Sequence, residues 1–205
     1  MMEHYYTKNP NAESHPEYIS ADLLGHALSF YTDAGVFSKK SVDFGTKVLV
    51  ESFVPTSSSG SILDMGCGYG PVGISLGKHF PSVSMTMVDI NERAIQLALK
   101  NARLNDVSNA KIHPSDLFRN VEGRFDDIVT NPPVRAGKQV VHQIFEDASR
   151  YLNNGGHLWV VIQKKQGAPS ALEKLKTIYN KVETVTKEKG YYIFRARIID
   201  GESLL

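Results

Sequence analysis

The stretch Ser61-Ile62-Leu63-Asp64-Met65-Gly66-Cys67-Gly68-Tyr69-Gly70-Pro71-Val72-Gly73 decides the fold. Ser61-Ile62-Leu63 reads as an apolar strand, and the loop-like run Pro55-Thr56-Ser57-Ser58-Ser59-Gly60 just before it marks where the main domain begins. Glycines at 66, 68, 70 and 73 follow at once, dense enough for a ligand to approach the backbone closely. A helix over residues 71–79 comes next. Strand, glycine turn and helix in that order form the opening unit of an open α/β sheet, in which ligands lie beyond the carboxyl ends of the strands.

Towards the C-terminus the alternation continues. A strand over 84–88 leads to a helix over 91–105 that Asn91 can cap, with Ile95, Leu99 and Ala102 on one face and Arg93, Gln96, Lys100 and Arg103 on the other. A short strand near Lys111-Ile112, a strand over 125–130, a helix over 139–151, the turn Asn153-Asn154-Gly155-Gly156, a strand over 157–162 and a helix over 168–179 come after it. The segments 182–187 and 191–198 are both strand-like, and their link, Glu188-Lys189-Gly190, is short enough to force an antiparallel hairpin. The expected architecture is a Rossmann-like open α/β sheet, mostly parallel, with one reversed C-terminal strand.

On the N-terminal side, residues 1–16 are polar and read as an irregular arm. Leu28 and Phe30 alternate with Ser29 and Tyr31 as a short strand, and Phe44, Val48, Leu49 and Phe53 sit at helical spacing. Residues 1–54 are expected to be an extension packed on a main domain of residues 55–205, together one structural domain.

The 205 residues, 41% of them hydrophobic, suffice for one well-buried core. With 23 basic against 22 acidic residues the formal charge is only +1, so contact with a polyanion requires a local patch. The single cysteine, Cys67, excludes an intrachain disulfide framework and a Cys-rich zinc site, and the seven histidines show no metal-ligand spacing, so no metal is expected. The start lacks a basic region followed by an apolar run, and no stretch has the length of a membrane span. The reading is a soluble, cytoplasmic protein with no membrane contact.

Gly68, Gly70 and Gly73 satisfy the G-x-G-x-x-G dinucleotide pattern, and Asp89 follows at the distance of an acid that grips a ribose, so spacing alone does not separate NAD from another nucleoside cofactor. Charge does. Asp64 opens the loop with a carboxylate that would stand beside a bound pyrophosphate at low effective dielectric. S-adenosylmethionine has no phosphate and carries a sulfonium and an ammonium, both suited to a nearby anion. In that reading Asp64, Gly66, Cys67, Gly68 and Gly70 line the cofactor, Cys67 through its backbone only. Asp89, followed by Ile90, accepts from the ribose hydroxyls, and Ser115-Asp116-Leu117 faces the adenine amino group.

After the fourth strand comes Asn131-Pro132-Pro133-Val134-Arg135-Ala136-Gly137-Lys138, where two prolines stiffen the chain into a ledge. Asn131 offers a side-chain carbonyl and Pro132 a backbone carbonyl. An exocyclic amino group has two donors and a delocalised lone pair. Two acceptors on a rigid ledge could hold both N–H groups, favour pyramidalisation and stabilise positive charge as it develops on nitrogen. Asn131, Pro132 and Pro133 are therefore the expected catalytic residues, and Asn131 is expected to contact the cofactor as well.

These segments resemble the class I S-adenosylmethionine-dependent methyltransferases, through Leu63-Asp64-Met65-Gly66-Cys67-Gly68-Tyr69-Gly70 and Asn131-Pro132-Pro133-Val134. With Gly35-Val36-Phe37-Ser38, Asp43-Phe44-Gly45-Thr46 and the run on to Lys138, the chain is similar more narrowly to the small-subunit ribosomal RNA guanine-N2 methyltransferases. The resemblance implies a seven-stranded sheet, S-adenosylmethionine as donor with S-adenosylhomocysteine as product, and guanine N2 in ribosomal RNA or a ribosomal subunit as acceptor. It also implies Phe37 and Thr46 near the cofactor.

Phe37, Val134, Arg135 and Lys138 are the expected substrate contacts. The chain departs from the family in two respects. Val134 stands where many amino methyltransferases carry a Tyr or Phe that stacks on a flipped base. There is also room for only one of the two tandem domains of longer members. Lys39-Lys40, Arg135, Lys138 and Lys164-Lys165 are candidates for a phosphate-binding rim. Tyr5-Tyr6 could stack on bases or pack on the core. Competing readings are methylation of a protein glutamine side chain or of adenine N6 on the same ledge, a non-catalytic binding module, and a dehydrogenase.

Overall fold

The computed structural model describes residue 8 and residues 13–38 and 40–199. Tyr5, Tyr6, Lys39 and most of the expected N-terminal arm lie outside the described residues. The central sheet is built from β3 (Ser61–Met65), β4 (Ser84–Asp89), β5 (Ala110–Pro114), β6 (Phe125–Thr130), β7 (Leu152–Gln163), β8 (Lys181–Glu188) and β9 (Tyr191–Arg197). Its order is β5-β4-β3-β6-β7-β9-β8, and β9 alone runs opposite to the other strands. Lys189 and Gly190, with φ of 45° and 83°, make the two-residue turn that reverses the chain between β8 and β9.

The helices α1 (Phe44–Ser52), α2 (Pro71–His79), α3 (Glu92–Leu104), α4 (Lys138–Tyr151) and α5 (Ala168–Lys176) cover both faces of the sheet. Strand periodicity sorts the core. Ile62, Val129, Trp159 and Val161 pack with α1, α2 and α3, while their neighbours Leu63, Ile128, Leu158 and Val160 pack with α4 and α5. Burial of alternate residues on opposite faces explains why these strands read as continuous apolar runs.

The sequence expectation departs from the structure at three elements. Asn153 to Gly156, read as a turn, belongs to β7. There β6 advances from Phe125 to Asp127 while β7 advances from Leu152 to His157, so the extra residues form a bulge within the strand. A Cβ on Gly156 would lie 2.8 Å from the Asp126 carbonyl oxygen, a close backbone approach that only glycine allows. The helix expected over 168–179 ends at Lys176, and the chain then carries Tyr179 inward, where its hydroxyl donates to the Phe145 carbonyl at 2.8 Å.

The third difference is at the N-terminus. A single strand was expected, but β1 (Glu17–Leu23) and β2 (His26–Thr32) form a separate antiparallel hairpin turned by Leu24 and Gly25 at φ of 55° and 76°. β1 alternates Ile19, Ala21 and Leu23, which pack towards the core, with exposed Tyr18, Ser20 and Asp22, a period-2 pattern that the single-strand expectation missed. The hairpin is tied to α3 by two asparagines one helical turn apart. Asn101 Oδ1 accepts from Tyr31 N at 2.7 Å and its Nδ2 donates to the Tyr31 carbonyl at 2.9 Å. Asn105 repeats the pattern on Ser29, at 3.0 and 2.8 Å. Each amide imitates one residue of a third strand and satisfies backbone groups that burial would otherwise leave unpaired. Asn101 also donates to the Tyr69 carbonyl at 2.9 Å, so the hairpin is linked to the glycine loop.

Replacing Asn101 by the near-isosteric Leu leaves the Tyr31 amide and carbonyl unpaired, at a cost of about 1–3 kcal/mol per stranded group. Urea unfolding of Asn101→Leu should therefore show a loss of about 2 kcal/mol or more at unchanged m-value. A loss below about 0.5 kcal/mol would mean that the hairpin is not anchored by this amide.

Candidate functional site

The pairing of β3 with β6 places Met65 beside Thr130, and Thr130 Oγ1 donates to the Met65 carbonyl at 2.9 Å. The glycine loop and Asn131 therefore leave the sheet side by side, although their helices, α2 and α4, return to opposite faces. The crevice between them is the topological switch point of the sheet, and a cleft of about 400 Å³ opens there.

The loop itself is a tight exit from the sheet. The amides of Gly66 and Cys67 both donate to the Val88 carbonyl at 2.9 Å, and Gly66 and Gly68 adopt φ of 74° and 55°. A Cβ at either glycine would meet nothing within 4 Å, so the backbone there is open to a ligand and glycine is required by the dihedral alone. Gly73 serves packing, since a Cβ would lie 2.7 Å from the Met87 side chain.

Asp64, 1% exposed at the end of β3, accepts from Gly73 N in the first turn of α2 at 2.8 Å. Burial, with a smaller contribution from the neighbouring Asp89, pushes its pKa up to about 7 against the opposing effect of the Gly73 hydrogen bond. The donor that a pyrophosphate would need at this helix start is thus already held by the protein's own acid. Asp89, ending β4, accepts from Gly68 N at 2.9 Å through Oδ2 and from Asn91 N at 2.8 Å through Oδ1. Burial raises its pKa too, against the hydrogen bonds from the Asn91, Gly68 and Ile90 amides, and a carboxylate still has acceptor capacity beyond these three. Two buried carboxylates, with Asp89 adding to the proton affinity of Asp64, make a site that favours a cation.

The third acid behaves differently. Asp116 lines the cleft but is partly exposed and pairs with Arg119 at 2.9 Å. Ser115 is buried with its hydroxyl committed locally, donating to the Leu117 carbonyl at 2.6 Å and accepting from Asn120 N at 3.0 Å. Leu117 holds φ of 51°, which turns this loop into the cleft.

Across the cleft stand Asn131, Pro132 and Pro133. Asn131 Nδ2 donates to Asp43 Oδ2 at 3.3 Å and to Thr46 Oγ1 at 3.1 Å, which leaves its carbonyl oxygen as the end available to a ligand. The Pro132 carbonyl is not wholly free. It accepts from Val134 N at 2.8 Å across Pro133, whose φ of −74° and ψ of 77° make a tight turn, so one lone pair remains.

Cys67, Ile90, Phe37, Val134, Arg135 and Thr46 also line the cleft. Two expected site residues do not. Gly70 is the left-handed residue that starts α2, with φ of 101°, and a Cβ there would clash with Ile74 Cδ1 at 2.6 Å, so it serves the turn and its packing. Lys138 opens α4 one turn beyond the ledge, exposed and off the cleft wall.

Sequence reasoning gave no role to Asp43, Tyr191, Gln163 or Gln166, all on the wall. Asp43 could have been found as a helix cap three residues before Thr46. Tyr191 carries no local signal, because only the reversal of β9 brings it to the site. Among the described residues no cluster of three or more His, Cys, Asp or Glu is arranged to hold a metal, and no helix is long and apolar enough to cross a membrane.

Known proteins place this geometry in context. YbxB of Bacillus subtilis, an uncharacterized protein, is 50% identical over 199 residues, covering 96% of this chain and 99% of YbxB. The ribosomal RNA small subunit methyltransferase C of Haemophilus influenzae is 32% identical over 170 residues, 81% of this chain and 51% of that protein. Among solved structures, the Thermus thermophilus 16S rRNA N2 methyltransferase RsmC, in complex with AdoMet and guanosine, aligns with a TM-score of 0.78 at 25% identity. That alignment covers 92% of this chain and 52% of RsmC. The chain thus spans about half the length of these two ribosomal RNA methyltransferases. The family model of the methyltransferase small domain matches residues 27–195, a range that takes in the glycine loop, the acids beyond β4 and β5 and the Asn131 ledge together. On that match the chain belongs to the methyltransferase small domain family, and its sheet is the Rossmann-like sheet of the class I methyltransferases.

Proposed function

We propose that this protein methylates an exocyclic amino nitrogen with S-adenosylmethionine as donor, and that the acceptor is the N2 amino group of a guanine in ribosomal RNA. The observation that carries the reading is the meeting, in one cleft, of an acid-backed glycine loop with an Asn131 amide whose carbonyl end is left open. The ribosomal RNA acceptor is supported by the activities of the Haemophilus and Thermus relatives.

When bound, S-adenosylmethionine supplies an electrophilic methyl group on a sulfonium. The residues present fit it. Open backbone at Gly66 and Gly68 admits a close ligand, the Asp64 carboxylate behind the loop balances positive charge, and Asp89 offers acceptors for a ribose. On the acceptor side, Asn131 Oδ1 and the remaining lone pair of Pro132 O receive the two N–H groups of the target. They hold its nitrogen towards the methyl group and stabilise charge that appears only as the bond forms.

A guanine must leave its helix to enter such a cleft, and an aromatic surface favours that step. Val134 has no ring, but Phe37, 40% exposed on the cleft wall, supplies one. Gln163 and Gln166 offer amide groups that can read the edge of a base. Exposed lysines lie beside lining residues around the mouth: Lys40, Lys164, Lys165 and Lys189, with Arg135 on the wall itself. They are suited to the flanking phosphates despite the small net charge.

Asn131→Ala should lower single-turnover methylation by about 100-fold or more while calorimetry gives an S-adenosylhomocysteine Kd within about twofold of wild type. Asp89→Ala should do the reverse and weaken that Kd by about tenfold or more. Wild-type turnover in Asn131→Ala would exclude the ledge mechanism.

Asp64 also sets a pH dependence. Its raised pKa of about 7 means that it holds a proton below that pH and bears charge above it. Binding of a cationic ligand should therefore strengthen as pH rises through about 7. In Asp64→Asn, binding should be weaker throughout and lack that rise. A wild-type Kd flat across this window would show that Asp64 does not face the positive groups of the ligand.

Nucleoside mass spectrometry of ribosomal RNA from cells with and without the gene tests the acceptor. N2-methylguanosine should fall when the gene is deleted. An unchanged level, with loss of N6-methyladenosine instead, or of a methylated glutamine in peptide mass spectrometry of the same cells, would move the assignment to that acceptor.

A further inference from the structure

An asparagine amide has two unlike ends: turned over, it presents two donors where it had presented an acceptor. At Asn131 this choice decides whether the cleft attracts or repels an amino group, and the fold makes it from behind. The two hydrogens of Nδ2 are directed to Asp43 Oδ2 and Thr46 Oγ1. A carboxylate can only accept, so the Asp43 contact specifies the flip chemically.

Asp43 is itself held. It caps α1 by accepting from Thr46 N at 3.2 Å, and Tyr191, the first residue of β9, donates its hydroxyl to Asp43 Oδ1 at 3.4 Å. Burial and the nearby Asp43 carboxylate raise the Tyr191 phenol above its ordinary pKa, which keeps it a donor. Gly45 makes room for the contact, since a Cβ there would meet the Tyr191 ring at 2.6 Å and Asp43 Oδ2 at 2.9 Å. Two residues at the start of α1, Asp43 and Thr46, thus hold one amide, with Tyr191 of the reversed strand behind Asp43.

We infer that Asp43 is a positioning residue for the methyl transfer: it locks the Asn131 amide with Oδ1 towards the acceptor, with Thr46 as second anchor and Tyr191 holding the carboxylate. The inference rests on the reading of Asn131 given above. A carboxylate that accepts from one amide N–H also polarises the amide and leaves more negative charge on Oδ1, where the target nitrogen becomes positive.

Two measurements test it. In ¹⁵N-labelled protein, the Asn131 side-chain NH₂ should exchange slowly with solvent, and Asp43→Ala should accelerate that exchange by about tenfold or more. This readout needs no turnover, so it stands even if the acceptor assignment fails. In single-turnover assays, Asp43→Asn, which keeps a capping oxygen but loses the charge, should slow methyl transfer by about tenfold with S-adenosylhomocysteine affinity within about twofold. Added to Asn131→Ala it should slow transfer no further, because it acts through Asn131. Should Asp43→Ala fail to fold, Thr46→Val removes the second anchor with the capping carboxylate intact, and the same faster exchange is expected.

Unchanged exchange in the variant that folds, wild-type turnover in Asp43→Asn, or a further loss on top of Asn131→Ala would each overturn the inference. Wild-type turnover in Asn131→Ala alone would instead remove the ledge mechanism, and the exchange measurement would still report whether Asp43 holds the amide.

Discussion

The parallel pairing of β3 with β6, with Met65 registered against Thr130, is the constraint on which the rest depends. Two strands that end together but send their chains to opposite faces of a sheet cannot cover the gap between those ends. The crevice is a consequence of connectivity, so whatever residues follow Met65 and Thr130 will face one another. In this chain they are a glycine loop and a proline-stiffened asparagine, one able to admit a cofactor and the other able to orient an acceptor. No element has to move to bring them together.

Electrostatics complements that geometry. Asp64 and Asp89 are removed from water, and the charge of Asp89 adds to the proton affinity of Asp64, which is unfavourable for the protein alone. A ligand that brings positive charge relieves it, so part of the binding energy comes from a strain already present in the fold. The same burial disfavours a phosphate-bearing cofactor, and it separates this glycine loop from a dinucleotide loop that satisfies the same spacing.

The polar side chains of the interior show a division of labour. Asn101 and Asn105 present both ends of their amides to the edge of β2 and so extend a two-stranded hairpin that would otherwise be marginal. Asn131 uses only its nitrogen internally and keeps its oxygen for the cleft. An amide satisfied at both ends is structural, and one left open at an end that faces a cavity has a chemical use. That distinction depends on partners drawn from distant parts of the chain.

Sequence by itself determined the alternation of strands and helices, the reversed C-terminal strand, the glycine loop with its acids, and the ledge. All of these are local patterns: period-2 and period-3.6 burial, turns demanded by glycine and proline, and short links that admit one topology. Tertiary structure decided the rest. The pairing of β1, whose Ile19, Ala21 and Leu23 alternate with exposed residues, was decided by a turn of two left-handed residues, Leu24 and Gly25. Gly70, though within the motif, is committed to the start of α2, a distinction between packing and ligand contact that spacing does not encode. Asp43 and Asn131 are 88 residues apart, and Tyr191 is 148 from Asp43. Their meeting is legible only after β9 is reversed against β7, since hydrogen-bond partners are chosen by distance in space and leave no periodicity in the chain.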